Sequence, residues 1–212
     1  MATERVPASV VVVHLDESCL GNGQSGDNPG GAGGLIEART SRGVERRDIT
    51  VAEPATTNNR MALAGAIATL TALSAKGKRL QALIVSDSEY LVKGVREWAP
   101  GWEARGWRRK GGAIENLELW QELIRRTGDH DVQFTWVRGH RGHPKNEYAN
   151  DLAIEAARTQ RRSDGAEASG FTEWLEVQRG RGLYESYDPD AEFDRLAAPL
   201  GTGYRFPLRG AG

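Results

Sequence analysis

A single cysteine, Cys19, stands in the 212 residues, which excludes an internal disulfide and fits a reducing compartment. Long hydrophobic runs are missing too. The stretch Val10 to Val13 is far too short to span a bilayer, and no charged-then-apolar leader precedes it. A cytoplasmic protein without a membrane association is therefore expected. There is no excess of charge of either sign: 28 basic and 29 acidic residues leave a formal net charge of −1. Any affinity for nucleic acid must then come from a local basic patch. What is present, 39% hydrophobic and 27% charged residues, is ordinary for a globular chain. The length has room for one domain plus an appendage.

Residues 1–8 read as a loose leader. Ser9 to Leu15 is a β-branched run ending at Asp16, as in a buried strand. Residues 21–34 hold seven glycines and Pro29, a loop returning into a second strand near Gly33 to Arg39. This loop lacks the Gly-Lys-Ser/Thr ending of a phosphate-binding loop. Gly43 to Val51 alternates polar and apolar residues, as a half-exposed third strand does. Thr56 to Asn59 offers helix caps, followed by helical spacing at Leu63, Ala66, Ile67, Leu70 and Leu73. Gln81 to Ser86 is a fourth strand ending at Asp87, and Val132 to Val137 a fifth. Helices are expected over Ser88 to Trp98, Asn116 to Arg126 and Lys145 to Arg158, the last entered through Pro144. The order β-β-β-α-β-α-α-β-α implies three antiparallel strands, with the later strands parallel to the first. The expected fold is α/β, a five-stranded mixed sheet flanked by helices, plus a C-terminal extension. Residues 9–160 form the main domain and 161–212 the extension, with a linker at Ser163 to Gly170. The extension's Phe171, Trp174, Leu175, Tyr184, Tyr187, Phe193 and Tyr204 are too apolar for a disordered tail. They are expected to pack on the domain or on a second copy, as in a homodimer. Its acidic run Asp188, Asp190, Glu192 and Asp194 reads as a solvated loop in preference to a flap.

Two carboxylates at neighbouring strand ends, Asp16 and Asp87, are the makings of a metal site, and a nearby histidine can move protons for it. The segments LDESCLGN, TTNNRM, VSDSEYL, WVRGHRGHPKNE and ANDLA follow in that order. In wording and order they resemble ribonuclease H of the type 1 family, over about residues 9–160. The resemblance implies an endonuclease that cuts the RNA strand of an RNA–DNA hybrid and leaves 5′-phosphate and 3′-hydroxyl ends. It implies two Mg2+ or Mn2+ ions per site held by four acidic residues. Asp16 and Asp87 match two of these, while Ala62 stands where the family has Glu, and Asn150 where it has Asp. The matched metal ligands are thus Asp16, Asp87 and Asn150, and His140 matches the histidine that serves the attacking water or product. Outside that motif, His143 reads as shaping the loop, and His14 and His130 as structural.

The gaps have a physical consequence. Four carboxylates neutralise two divalent ions; two leave an excess of two positive charges, so metal should bind more weakly and manganese should serve better than magnesium. Three explanations are open: a substitution introduced to stop turnover, a natural variant that recruits another acid, or a natural hybrid-binding protein that does not cleave. Asn150 keeps a ligand oxygen and reads as natural, whereas Ala62 reads as the introduced change. Among replacement acids, Glu17 and Asp151 adjoin site residues and should point elsewhere, because neighbours lie about 100° apart on a helix or on opposite faces of a strand. Glu89 has better spacing, at a position where the family has a substrate-touching Gln.

For substrate, Asn22, Thr57, Asn58 and Asn59 match family residues near the cut, and neutral amides suit a 2′-hydroxyl. Residues 98–110 read WAPGWEARGWRRK. There Trp98, Trp102, Arg105, Trp107, Arg108, Arg109 and Lys110 resemble the basic protrusion that grips the DNA strand, which implies salt-dependent binding. The tryptophans also serve as packing for the protrusion, and Trp120 reads as core. A different nuclease on the same fold, such as a junction resolvase, is disfavoured by TTNNRM and by the protrusion.

Overall fold

The structure is a computed structural model that describes residues 10–21, 28–75, 77–139 and 142–205. Six strands form one sheet in the order β5-β4-β1-β2-β3-β6. Strand β1 (Val10–Cys19) lies antiparallel to β2 (Gly30–Thr40), and β2 antiparallel to β3 (Gly43–Glu53). Strand β4 (Gln81–Ser86) is parallel to β1, and β5 (Asp131–Trp136) is parallel to β4. These are the five expected strands in the expected directions. The sixth, β6 (Glu167–Ala168), comes from the extension and adds two residues to the edge of β3. β1 does not stop before Asp16: it runs on through Glu17 to Cys19, paired throughout with β2.

One face of the sheet is covered by α1 (Asn58–Ser74) and α4 (Leu117–Thr127). Val11, Val13 and Leu15 of β1 meet Leu63, Ala66, Leu70, Trp120 and Leu123 there. Between them runs a helical stretch of three pieces, α2 (Glu89–Lys93), a π-helical turn at Gly94–Trp98, and α3 (Ala99–Ala104). It is longer than the single helix expected to end at Trp98. On the other face α5 (Pro144–Thr159) crosses β2 where that strand is glycine-rich. A Cβ on Gly31 would lie 2.2 Å from Ala153 O, and one on Gly33 2.3 Å from Ala149 O. Only the bare backbone lets α5 sit so close.

The extension forms α6 (Phe171–Gly180) and α7 (Pro189–Ala197). Phe193, Leu196, Ala197 and Leu200 pack on Val10, Val12, Leu83 and Val85, the second face of β1 and β4. Phe171 and Leu175 join Leu35 and Tyr148 in a smaller core. Phe171, Leu175 and Phe193 are therefore buried on their own chain, and Trp174, Tyr184 and Tyr187 partly so; Tyr204, also expected to pack, is 48% exposed. The expectation of a solvated acidic loop is corrected: Asp188 caps α7, accepting from the N–H groups of Asp190 and Ala191, and Asp190 and Asp194 pair with Arg46 and Arg39. Among the described residues no helix is long and apolar enough to cross a membrane.

Candidate active site

Where the β1–β4 ladder ends, at the pair Leu15–Ser86, the next residues on the two strands are Asp16 and Asp87. Asp16 is 5% exposed. One of its oxygens accepts from the Glu17 N–H at 2.7 Å, and the other from the Asn146 side-chain amide at 3.1 Å. Glu17 completes the group: one oxygen each from Asp16, Glu17 and Asp87 lie within 4.8 Å of one another. The expectation that Glu17 points elsewhere is corrected here. Alternation holds within a full ladder, but β4 has ended at this level. Glu17 reaches across the strand end to the field of Asp87 and the Ser88 hydroxyl.

Three crowded carboxylates resist ionising together. Burial, then the charges of Asp87 and Glu17, push Asp16 up to about 8. Burial and Asp87 push Glu17 up to about 8. Converging oxygen donors whose charge is held back by mutual repulsion suit a hard divalent cation, which relieves that repulsion.

The other expected positions divide. Ala62 is buried, 4% exposed, among the apolar residues under α1. Asn150 lies on α5 one turn beyond Asn146, which places both on the helix face toward Asp16. Asp151 is turned to the extension, where it accepts from the Trp174 indole N–H at 2.8 Å. The Glu89 carboxylate takes the Lys93 ammonium of its own helix and is not in the three-residue group. His140 and Asn22 lie outside the described residues, as do residues 1–8. On either side of His140, the loop after β5 is seated at Gly139, where a Cβ would fall 2.0 Å from an Asp87 oxygen, and at Gly142, whose N–H donates to Glu147 at 3.1 Å.

Thr57 rather than Asn58 or Asn59 caps α1, its hydroxyl accepting from the Arg60 N–H. Both asparagines stand half-buried in the first turn. The aromatic protrusion is packed as well as basic. Trp98 meets Tyr90 and Trp102 with ring centroids 5.8 and 6.0 Å apart, and Trp102 meets Trp120 at 5.8 Å. Trp107 packs on the main core. Trp120 is fully buried, and its indole N–H donates to Tyr90. Tyr90, Trp98, Trp102, Arg105, Arg109 and Lys110 line an open groove of about 580 Å³. Arg108 is exposed beside it.

Sequence reasoning missed Asn146 and Gly139, and set Glu17 aside. A signal for Glu17 existed in the adjacent acids of LDES, and one for Asn146 in its four-residue spacing from Asn150.

Comparison with known proteins agrees with the motifs. Residues 8–158 match the RNase H family. A ribonuclease H of Pelobacter propionicus is 38% identical over 73% of this chain and 89% of its own length. Another, of Methylococcus capsulatus, is 42% identical over 68% of this chain and 86% of its own. A solved structure described as LC9-RNase H1, a type 1 RNase H with the type 2 active-site motif, is 43% identical with a TM-score of 0.77. It covers 99% of both chains, so that likeness runs through the C-terminal helices. With its α/β fold, its ordered motifs and a group of three carboxylates in place of the usual four, the chain belongs to the type 1 ribonuclease H family.

Proposed function

We propose that this protein is an active metal-dependent endonuclease that hydrolyses the RNA strand of RNA–DNA hybrids, leaving 5′-phosphate and 3′-hydroxyl ends. Glu17 supplies the carboxylate that Ala62 lacks. The observation that carries this reading is the convergence of Asp16, Glu17 and Asp87 within 4.8 Å. A protein that only binds hybrid has no need of three mutually repelling, partly buried acids. A relative 43% identical is itself described as carrying another type's active-site motif, so departure from the usual type 1 arrangement has a precedent.

Asp16, Glu17, Asp87 and the Asn150 carbonyl oxygen would hold two Mg2+ or Mn2+ ions. Bound there, the ions activate the attacking water and stabilise the leaving oxygen. The chain's own groups do the rest. Three carboxylates and one amide leave one positive charge in excess, which the substrate phosphate offsets. Asn146 orients Asp16. His140 is assigned proton transfer on its motif, and an unperturbed histidine titrates in the range that work needs. Thr57, Asn58 and Asn59 take the RNA sugars, and Asn22 is assigned to the same task on its motif alone. The groove of Trp98, Trp102, Arg105, Arg109 and Lys110, with Trp107 and Arg108 beside it, takes the DNA strand. Glu89 stands at the edge of the substrate path. Residues 9–160 are the catalytic unit, and 161–212 an extension that braces it.

The test is cleavage of end-labelled RNA–DNA hybrid, duplex RNA and duplex DNA, with Mg2+, Mn2+ or chelator. Metal-dependent cuts confined to the RNA strand of the hybrid are expected. Tight hybrid binding without cleavage in either metal would contradict the proposal and favour a binding protein.

A further inference from the structure

We propose that Asn146 is a positioning residue for Asp16, and that buried Lys145 beside it ties this position to the C-terminal helix α7. The inference rests on the proposed metal site.

Asn146 is 1% exposed, and its amide donates to Asp16 Oδ2 at 3.1 Å. Its own carbonyl oxygen is buried and has no partner among the described residues. A buried amide with one end unsatisfied costs stability, so a purely structural role would be better filled by an apolar side chain of similar size. Among the described residues, the one hydrogen bond of its side chain is to a carboxylate at the centre of the acidic group.

Its neighbour Lys145 is also 1% exposed. The ammonium lies 2.8 Å from the Glu37 carboxylate of β2, and donates to the Pro189 carbonyl at the start of α7 at 2.8 Å. Glu192 of α7 is 3.8 Å away. Glu37 is held in turn by Arg46 of β3 at 3.0 Å, and Arg46 also pairs with Asp190 of α7. One buried cation thus pins the first turn of α5 to β2 and to α7 together. That first turn is the one that carries Asn146. Removing one partner of such a group leaves an uncompensated buried charge, so the anchor tolerates little drift. Through it, a segment remote in sequence sets where the amide meets Asp16.

The experiment compares the full-length protein with Asn146→Ala and with the charge-balanced double variant Lys145→Met/Glu37→Gln. Mn2+ affinity is read from the electron paramagnetic resonance of free Mn2+, alongside kcat and KM on hybrid and the urea midpoint. Partners that orient metal ligands typically matter by about 10–100-fold. Asn146→Ala is expected to weaken Mn2+ binding by about that factor, lowering kcat at limiting metal while KM for hybrid stays unchanged, with recovery in excess metal. The double variant is expected to move in the same direction by less. Parent affinity in a folded Asn146→Ala protein overturns the positioning role, and parent affinity in the double variant overturns the link to α7. Should Asn146→Ala fail to fold, Asn146→Ser, too short to reach Asp16, is read by the same criteria. A parent protein that binds no Mn2+ overturns the metal site and this inference together; a parent that binds Mn2+ and variants that match it overturn the inference alone.

Discussion

Glu17 shows how a local rule yields to its surroundings. On a fully paired strand its carboxylate would face away from that of Asp16. At the end of β4 it joins Asp16 and Asp87 instead. The titration of the group follows. Asp16 moves up from 3.8 to about 8, so between those limits the folded, metal-free protein holds a proton that the unfolded chain has released. Stability without metal must therefore fall as pH rises from about 4 to about 8, and level off above. Metal binding has to displace these protons, so affinity rises over the same range. Calorimetric titration with Mn2+ at pH 6, 7 and 8 should show rising affinity and falling proton release; affinity independent of pH would argue against a protonated group. Glu17→Gln removes one of the repelling charges and keeps the shape. It should raise the metal-free unfolding midpoint at pH 8.5 and abolish most of the stabilisation by metal.

At the scale of elements, α5 carries the site and β2 lets it approach. Gly33→Ala places a methyl group 2.3 Å from Ala149 O. The cost expected of such overpacking is about 1–3 kcal/mol, measurable by urea unfolding with the slope unchanged, and activity should fall as α5 backs away from Asp16. Gly139→Ala pushes directly on Asp87 and should impair cleavage more than folding. Most elements could be read in advance because their signals are local: β-branched runs gave β1, β4 and β5, and Pro144 gave the start of α5. Among the features that escaped, two are instructive. Gly30 to Ala32 read as loop, with the strand expected only from about Gly33, because a strand chosen for close approach by a helix has no strand-forming side chains to display. Helix α7 was hidden by its acids, though Asp188-Pro189 is a helix-start pair and Phe193, Leu196 and Ala197 have helical spacing. Asp188 caps the helix locally, but Asp190, Glu192 and Asp194 meet Arg46, Lys145 and Arg39, more than a hundred positions away for the arginines.

At the scale of the molecule, the extension closes the face of the sheet that α5 leaves open. Val10, Val12, Leu83 and Val85 would meet solvent without α7. Phe193 is fully buried there, and Phe193→Ala should cost about 3–5 kcal/mol, read from chemical denaturation; a loss under 1 kcal/mol would mean that α7 is a loosely held appendage. The ribonucleases H of Pelobacter propionicus and Methylococcus capsulatus align over 73% and 68% of this chain, whereas the likeness to LC9-RNase H1 runs over 99% of it, C-terminal helices included. Ala62 joins the core under α1, while Glu17, near the end of β1, gathers with Asp16 and Asp87; on the proposed reading the second stands in for the carboxylate the first lacks.

The most direct measurement is hybrid cleavage by the parent protein, Glu17→Gln and Ala62→Glu side by side, in Mg2+ and in Mn2+. The parent should cut, Glu17→Gln should lose at least about 100-fold, or about 2.7 kcal/mol of transition-state stabilisation, and Ala62→Glu should bring no gain. An inactive parent that Ala62→Glu restores, or a Glu17→Gln protein that cuts as well as the parent, would contradict the assignment of Glu17 to the site.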